Sequence, residues 1–496
     1  MGIVKRQGIK STIIQMIGVL IGVVNLMYIY PLVYEKSQIG IFRFLIEVGS
    51  TAAPFALLGL HTAVVRFFPD FKTEGSNHHN GFLSFFLMAS SIFILFFCFV
   101  YFLFGNEILN MLGKRDPLFN NYLGLVLPLT IVISYHVLLH QHAINQLRIT
   151  VPAIISLFIK IAIPALGVLY YKEFITFDWV MNGIVITYGI MMLSTLLYLY
   201  SIGGANLRPK FSFITKKRIK KISEFSLFGI LGSLGSILAT RIDVIMVASL
   251  TTLDNTGIYV IAMFVANVLA MPTTAIQNIT GPLIAEHHKK NELKEIEILY
   301  KKSSLNLMMA GLLLITLIWL SVDNLFDFMP NGDGYRAGKY VILFLALAKL
   351  VDMTMSVNQR VIAYSKYFRF NLYAMLLMAV FNVITNLLLI PEFGINGAAI
   401  ATFASLTLFN LVKFGYIWFR FKMQPLSWQT LGALAIAACA FVAGYISPEL
   451  GHPVASIILR SIIITVVFGG LAFITKVSPD INGLVFTALE KLGLRK

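Results

Sequence analysis

Long apolar runs constrain the fold of this chain more than any other feature. Fourteen such runs lie between residues 12 and 475, and about 20 apolar residues in helical conformation cross the hydrocarbon core of a bilayer. The runs are continuous, which excludes the short alternating strands of an outer-membrane barrel. They cover residues 12–34, 40–65, 81–104, 117–140, 150–171, 178–200, 225–250, 257–283, 303–325, 339–363, 369–390, 395–419, 428–446 and 455–475. We therefore predict an all-α polytopic membrane protein with 14 transmembrane helices.

The composition excludes several classes of soluble protein and enzyme. Hydrophobic residues make up 58% of the 496 residues and charged residues only 12%, whereas soluble proteins carry about 25% charged residues. The only cysteines, Cys98 and Cys439, allow neither a disulfide framework nor a cysteine metal site. No loop is long enough for a catalytic domain, and no glycine-rich phosphate loop is present. We expect no enzymatic activity, no cofactor and no metal.

The basic residues predict the orientation of the chain. The net charge is +16, and basic loops stay on the cytoplasmic side of a membrane. With both termini inside, the inner segments hold 26 Lys and Arg residues and the outer loops six. No small-residue cleavage site follows the first run, so we expect that span to be retained. The excess charge indicates contact with anionic membrane lipids rather than with nucleic acid.

The longest inner connection divides the chain into two predicted lobes. Six spans precede residues 201–224 and eight follow them, and paired lobes are common in transporters. We predict an N-terminal lobe over residues 1–200, a basic cytoplasmic linker over 201–224 and a C-terminal lobe over 225–425. Residues 426–496 would add two helices and a cytoplasmic tail. The two six-helix lobes are expected to surround a central cavity.

Seven Lys and Arg residues fall inside the predicted spans. An ionised side chain at mid-bilayer costs roughly 2.5 to 3.5 kcal/mol, so each must pair, face the bundle interior or line water. Three of them are near helix ends, where a long side chain can extend to the interface: Arg360, Lys413 and Arg460. The other four are predicted to line a cationic cavity that binds an anionic substrate: Arg43, Lys160, Arg241 and Lys349.

Three carboxylates accompany these cations and are predicted as charge partners or coupling groups: Glu47, Asp243 and Asp352. The pairs Arg43/Glu47 and Lys349/Asp352 have helical i,i+4 and i,i+3 spacing, so each is expected to neutralise itself in part. Arg241 and Asp243 are two residues apart and leave the helix on different sides. Purely structural ion pairs remain an alternative interpretation.

Two sequence blocks resemble the polysaccharide, or lipid-linked oligosaccharide, flippases. One contains Thr240-Arg-Ile-Asp-Val-Ile-Met-Val-Ala248, and the other combines Asn382-Val-Ile-Thr-Asn386 with the segment Leu389 to Thr402. These flippases belong to the multidrug/oligosaccharidyl-lipid/polysaccharide exporter superfamily, with the drug exporters and the lipid II flippases. The resemblance places Arg241 and Asp243 at the family's Arg-x-Asp position, whereas Arg43, Lys160 and Lys349 are predicted from position and charge alone.

The resemblance implies transport of an undecaprenyl-pyrophosphate-linked oligosaccharide across the bacterial inner membrane for lipopolysaccharide or exopolysaccharide synthesis. Expected partners are membrane lipids, a coupling cation (H⁺ or Na⁺) and glycosyltransferases or a polymerase. A cation-coupled multidrug exporter, a lipid II flippase and a non-transporting scaffold remain alternatives. The first predicted span has no charged residue between Ser11 and Tyr34, which makes the drug exporter and the lipid II flippase less favoured.

Overall fold

The computed structural model describes residues 2–71, 81–113, 117–146, 148–204, 215–355, 357–478 and 480. Within these ranges the regular structure is helical, as the apolar runs predict. Eleven helical stretches are long and apolar enough to cross a membrane. The chain divides into two compact units, unit 1 (Met1–Gly257) and unit 2 (Ile258–Lys496).

Over its described residues, unit 1 contains eleven complete α-helices and the start of a twelfth. They are α1 (Gly2–Val24), α2 (Tyr30–Val33), α3 (Lys36–Ala56), α4 (Leu60–Phe67), α5 (Phe82–Gly113), α6 (Pro117–Tyr122), α7 (Val126–Asn145), α8 (Thr150–Tyr171), α9 (Phe177–Ser201), α10 (Lys216–Thr240), α11 (Ile242–Leu250) and α12 (Leu253–Asn267). Helix α3 packs against α7 and α11, while α8 packs against α1 and α9. Phenylalanine and leucine side chains, among them Phe82, Phe86 and Leu138, fill a buried core in this unit.

Unit 2 continues with seven further helices. They are α13 (Met271–Lys290), α14 (Leu293–Phe328), α15 (Lys339–Met355), α16 (Asn358–Ala363), α17 (Arg369–Phe421), α18 (Trp428–Ile446) and α19 (Pro453–Thr475). Helix α14 packs against α15, α18 and α19, and α15 packs against α17. The last two helices are therefore packed into unit 2, where Ile436, Ile464 and Phe468 share a buried cluster with residues of α14.

Several predicted spans are interrupted in the structure, among them 40–65, which is broken between α3 and α4. The predicted span 225–250 is broken at Arg241 into α10 and α11, and the span 339–363 is broken between α15 and α16. The predicted spans 369–390 and 395–419, in contrast, match two helices within α17 that meet at a kink at Gly394, where the backbone is not helical (φ 57°, ψ −134°). Only glycine adopts this conformation at little cost. The total of 14 spans stays a prediction.

The predicted lobe boundaries are not those of the two units. Along the chain, unit 1 ends at Gly257 and unit 2 begins at Ile258, whereas the predicted linker covers residues 201–224. Residues 205–214 of that linker lie outside the described residues. The division into lobes 1–200 and 225–425, the separate segment 426–496 and the cavity between the lobes therefore stay predictions.

Arg460 joins three parts of unit 2 and is more buried than predicted, with 8% of the residue exposed. Toward the α18–α19 connection its Nη2 lies 3.4 Å from Oε1 of Glu449, whose side chain is 76% exposed. Its guanidinium donates to the carbonyl of Leu320, to Asn324 Oδ1 at 3.3 Å and to Ser447 Oγ at 3.2 Å. A planar five-donor group satisfies several acceptors at once, so Arg460 links α14 to the α18–α19 connection.

The substitution Arg460→Met is expected to lower the free energy of unfolding in detergent by about 2 kcal/mol, because buried acceptors lose their donors. Arg460→Lys should recover only part of this loss, since an ammonium group cannot reproduce the planar fork. Thermal unfolding of the purified full chain measures both effects. Arg369→Met, at an exposed arginine of the same unit, is the control; equal stability of all three variants would contradict the assignment.

Candidate functional site

Helix α3 presents Arg43 and Glu47 one turn apart on one face. Both side chains are half-buried, although most of their neighbours on α3 are fully buried. Nε of Arg43 is buried and has no hydrogen-bond partner within the described residues. A buried donor without an acceptor is costly, so Arg43 is available for an additional acceptor.

Arg241 lies where the seventh predicted span breaks. Its backbone (φ −128°, ψ −21°) is not helical, and it precedes the first residue of α11. Nη1 of Arg241 donates to Oε2 of Glu47 at 2.6 Å. The side chain of Arg241 is 41% exposed and that of Glu47 only 14%. At this break, the guanidinium of Arg241 is therefore held by Glu47 on one side and is accessible on the other.

The predicted Arg43/Glu47 pair is wrong, because Glu47 pairs with Arg241 instead. Two physical reasons explain the difference. An acidic residue that follows its basic partner by four positions has the less favourable orientation along a helix. In addition, the break before α11 brings a second guanidinium to Glu47 from another part of the chain, which a sequence spacing does not reveal.

Tyr188 of α9 lies within reach of the charges of this group. The charges of Arg43, Glu47 and Arg241 all act on its phenol, together with Tyr30. Tyr188 is half-buried. A phenol both donates and accepts hydrogen bonds, so Tyr188 adds a neutral polar group to the set. Sequence analysis missed it because a tyrosine in a span carries no charge signal.

Lys160 is close enough to this group for the charge of Arg43 to act on it. Its Nζ donates to the carbonyl of Gly18 at 2.7 Å, and its own carbonyl accepts from Asn25 Nδ2 at 2.6 Å. A Cβ at position 18 would lie only 3.3 Å from Nζ, so glycine permits this close approach. Lys160 thus contributes a positive charge. Its position is fixed by the hydrogen bond to Gly18, which lies in the first predicted span.

We call Arg43, Glu47, Lys160 and Arg241 the unit 1 cluster. It holds three positive charges and one negative charge, supplied by α3, α8 and the α10–α11 break. Asp243, the other predicted partner, is 6% exposed in the first turn of α11 and is more buried than Glu47. The cluster is net positive and has donors left for an anion.

The predicted cation of unit 2, Lys349, is half-buried on α15. The prediction that it pairs with Asp352 is wrong, since no ion pair joins the two side chains. Asp352 Oδ1 instead accepts from Asn410 Nδ2 of α17 at 3.1 Å. Helix α15 packs closely against α17. The Asp352 carboxylate is on the side of α15 that faces α17, so Asn410 reaches it more easily than Lys349, which is on the same helix as Asp352.

Lys413 was also predicted incorrectly. Its side chain is 1% exposed and its Nζ lies 3.7 Å from the ring centroid of Phe409. It does not extend to the interface, because a helical side chain leans toward the helix N-terminus, and here that direction leads away from the end of α17. The charge of Lys413 was visible in the sequence, but its burial was not.

No group of three or more His, Cys, Asp and Glu side chains could hold a metal ion in the part of the chain that the structure describes. The side chains of the unit 1 cluster form ion pairs and hydrogen bonds. Arginine and lysine donors of this kind bind carboxylate and phosphate oxygens.

Comparison with known proteins identifies relatives of the chain. Residues 4–286, more than half of its length, match the family model of the polysaccharide biosynthesis proteins. Over 203 residues the chain is 24% identical to the "probable low-salt glycan biosynthesis flippase Agl15" of Haloferax volcanii. That match covers 40% of this chain and 43% of the relative, so the chain spans less than half the length of this relative.

Solved structures show the same fold at low sequence identity. The lipid II flippase MurJ, in an inward closed conformation, aligns with a TM-score of 0.73 over 95% of this chain and 98% of its own length, at 16% identity. An inward-facing multidrug resistance transporter of the MATE family aligns with a TM-score of 0.61 over 84% and 98%, at 13% identity. This multi-pass membrane protein, with the fold shared by MurJ and the MATE transporters, belongs to the polysaccharide biosynthesis protein family.

Proposed function

We propose that the chain is a flippase, not an enzyme, that moves an undecaprenyl-pyrophosphate-linked oligosaccharide from the cytoplasmic to the outer face of the bacterial inner membrane. The product would serve lipopolysaccharide or exopolysaccharide synthesis. Family membership and the relative named for glycan biosynthesis support the class of substrate. The unit 1 cluster carries the proposal, because it offers an anionic headgroup several positive charges within one unit.

A pyrophosphate diester fits the chemistry of this cluster. The headgroup carries two negative charges, and the planar fork of arginine donates two hydrogen bonds to phosphate oxygens. Arg241 has its accessible side available, and the buried Nε of Arg43 lacks a partner within the described residues. We therefore assign direct headgroup contacts to these two arginines and an electrostatic contribution to Lys160.

Glu47 has a distinct role in this proposal. Its carboxylate occupies one N–H of Arg241, so it lowers the positive potential that an incoming headgroup meets. A permanently bound headgroup would not be transported, and a nearby carboxylate favours release. Glu47 thus sets the affinity of the cluster at a level that permits turnover.

The remaining steps follow from the physics of the membrane. The lipid tail stays in hydrocarbon while the headgroup passes through a polar interior. Lobe motion would expose the site alternately to the two faces. No bond is broken, so a coupling cation, H⁺ or Na⁺, or the membrane potential must supply direction; 100 mV provides about 2.3 kcal/mol per charge.

The location and partners complete the proposal. Both termini are assigned to the cytoplasm, because that arrangement keeps most of the basic residues inside. Glycosyltransferases would supply the lipid-linked substrate on the inner face, and a polymerase would consume it on the outer face. Anionic lipids would contact the basic segment that begins α10, where Lys216, Lys217, Lys220 and Lys221 are exposed.

A proteoliposome assay tests this function. The probe is an undecaprenyl-pyrophosphate-linked disaccharide with a fluorescent sugar, and a membrane-impermeant quencher reports the leaflet in which it resides. The wild type should translocate the probe, and the variant Arg43→Gln/Arg241→Gln should not, because the two guanidinium groups assigned to the headgroup are removed. A drug exporter would keep cationic drug efflux in this variant, and a scaffold would translocate nothing even as wild type; either result would reject the proposal.

A further inference from the structure

A cavity of unit 1 that shares no residue with the unit 1 cluster lies where α4 ends and α10 begins. Its volume is about 250 Å³, and six side chains line it: Phe67, Asp70, Phe71, Arg218, Lys221 and Ile222. The first three belong to α4 and to the short 3-10 helix Phe68–Phe71 that follows it, and the last three to the first turns of α10. The two connections that supply them, 66–80 and 201–224, are predicted to lie on the same side of the membrane.

Aromatic rings form one part of this cavity and charged groups another. Helix α4 packs against α10, and the ring of Phe67 meets that of Phe225 edge to face, with centroids 5.7 Å apart. The guanidinium carbon of Arg218 lies 5.8 Å from the centroid of the Phe71 ring. Ile222 is buried and adds a further apolar surface. The cavity can therefore hold a group that is partly charged and partly apolar.

The charges at the cavity are positive in sum and poorly compensated. Lys221 and Asp70 are exposed, and neither forms an ion pair with any residue that the structure describes. Five of the six residues 216–221 are Lys or Arg, and like charges one turn apart destabilise a helix. Lys220 lies 4.0 Å from Glu224, but both side chains are largely exposed, so this pair contributes little. A bound anion would relieve the repulsion at the start of α10.

The cavity lies at the level where α10 passes from a polar to an apolar surface. Beyond its basic start, the exposed side chains of α10 include Leu227 and Phe228, and Val65 is exposed near the end of α4. Exposed apolar groups of this kind belong in hydrocarbon and the lysines in water. Basic pockets between helices at this boundary bind the headgroups of anionic lipids.

Size and chemistry restrict the headgroup further. Pockets that enclose drug-sized ligands have volumes of about 300 to 1,000 Å³, so this cavity suits a lipid headgroup better than a nucleotide or an oligosaccharide. Arg218 and Lys221 are suited to phosphate oxygens. The carboxylate of Asp70 accepts hydrogen bonds from hydroxyl groups and repels a second negative charge. A phosphodiester with one negative charge and free hydroxyl groups meets all of these conditions.

We propose that this cavity binds the headgroup of phosphatidylglycerol. The phosphate contacts Arg218 and Lys221, the glycerol hydroxyls donate to Asp70, and the acyl chains follow the exposed apolar side chains of α10. Phosphatidylethanolamine offers Asp70 an ammonium group, but it has no net charge to offset the basic start of the helix. Phosphatidylglycerol is therefore the favoured occupant.

The bound lipid would join the end of α4 to the start of α10 and stabilise their packing. This inference gives the proposed contact with anionic lipids a defined site and a lipid class. It does not depend on the flippase assignment, because lipid binding is measured without transport. A chain that binds phosphatidylglycerol and translocates nothing would reject the proposed function and leave this site intact.

The test is native mass spectrometry of the delipidated full chain in neutral detergent, titrated with dioleoyl-phosphatidylglycerol. The variant Arg218→Gln/Lys221→Gln should bind the first lipid at least about tenfold more weakly than the wild type, because both phosphate contacts are removed. Lys216→Gln/Lys217→Gln is the matched control, since it removes the same charge from exposed residues of the same helix that do not line the cavity. Salt screens such charges, so the control should bind within about twofold of the wild type.

Thermal unfolding separates lipid binding from folding. Without lipid, neither double variant should unfold at a lower temperature than the wild type, because each removes like-charge repulsion. Phosphatidylglycerol should raise the unfolding temperature of the wild type and of the control, but not that of Arg218→Gln/Lys221→Gln, because a ligand stabilises only the protein that binds it.

The identity of the headgroup is tested with other ligands. The wild type should bind phosphatidylglycerol more tightly than phosphatidylethanolamine or phosphatidic acid, and Asp70→Asn should lose the preference over phosphatidic acid, because the repelling carboxylate is gone. Equal weakening in both double variants would show diffuse attraction and overturn the site. Equal binding of phosphatidylethanolamine, or displacement of the lipid by water-soluble glycerol 3-phosphate, would overturn the assignment to phosphatidylglycerol.

Discussion

Replacing Arg241 with glutamine is expected to reduce the initial rate of glycolipid translocation by about 100-fold. The substitution removes a charge and two directed donors at the accessible side of the unit 1 cluster, and a hydrogen bond to a charged group contributes about 1.5 to 3 kcal/mol. Arg241→Lys should retain more activity, because it keeps the charge and loses only the planar fork. The measurement is the proteoliposome rate, normalised to incorporated protein.

Folding must be separated from function in this experiment. Arg241→Gln leaves Glu47, which is only 14% exposed, without its counter-ion. The double variant Arg241→Gln/Glu47→Gln removes that imbalance and should unfold at nearly the wild-type temperature, yet remain inactive. If the double variant regains transport, Arg241 serves only to neutralise Glu47, and the headgroup contact assigned to it is wrong.

Substitution of Glu47 by glutamine is expected to tighten headgroup binding and slow turnover. Removing a negative charge beside Arg241 raises the positive potential of the cluster; at an effective dielectric constant of 20, a charge about 8 Å away contributes roughly 2 kcal/mol. We therefore expect the affinity for undecaprenyl pyrophosphate to rise at least about tenfold. The maximal translocation rate should fall, because release becomes slower.

Two controls fix the interpretation of this result. Glu47→Asp keeps the charge, so its affinity should remain near that of the wild type. The affinities are measured by titration of detergent-solubilised protein with undecaprenyl pyrophosphate. Weaker binding in Glu47→Gln would mean that Glu47 positions Arg241 for the headgroup instead of competing with it.

The sequence predicts the class of fold because the bilayer is a severe constraint. Hydrocarbon cannot satisfy backbone polar groups, so apolar runs of sufficient length must be helices. The same argument says little about where a helix breaks. The interruption at Arg241 depends on which side chains and neighbouring helices satisfy the backbone locally, and periodicity does not carry that information.

The candidate site was predictable in its residue types and not in its pairing. Charges inside spans identify Arg43, Glu47 and Arg241, because each is too costly to be placed there without a role. Which carboxylate meets which cation depends on helix packing, so both predicted intrahelical pairs were wrong. Tyr188 was not predicted, because uncharged polar residues are common in spans.

Lys413 shows how a sound rule can be misapplied. Lysines near helix ends do extend to the interface, and position 413 is within nine residues of the end of α17. The rule fails because the side chain leans toward the helix N-terminus, so an end that lies C-terminal to the residue is out of its reach. Whether a lysine side chain reaches the interface therefore depends on the direction in which it points along the helix, as well as on its distance from the helix end.

The most direct test of the central claim is an experimental structure of the full chain with bound undecaprenyl-pyrophosphate-linked oligosaccharide. The account predicts that phosphate oxygens lie within hydrogen-bond distance of the guanidinium groups of Arg241 and Arg43, with Lys160 close by. Binding of the pyrophosphate away from unit 1, with the ion pair between Arg241 and Glu47 closed and untouched, would contradict it.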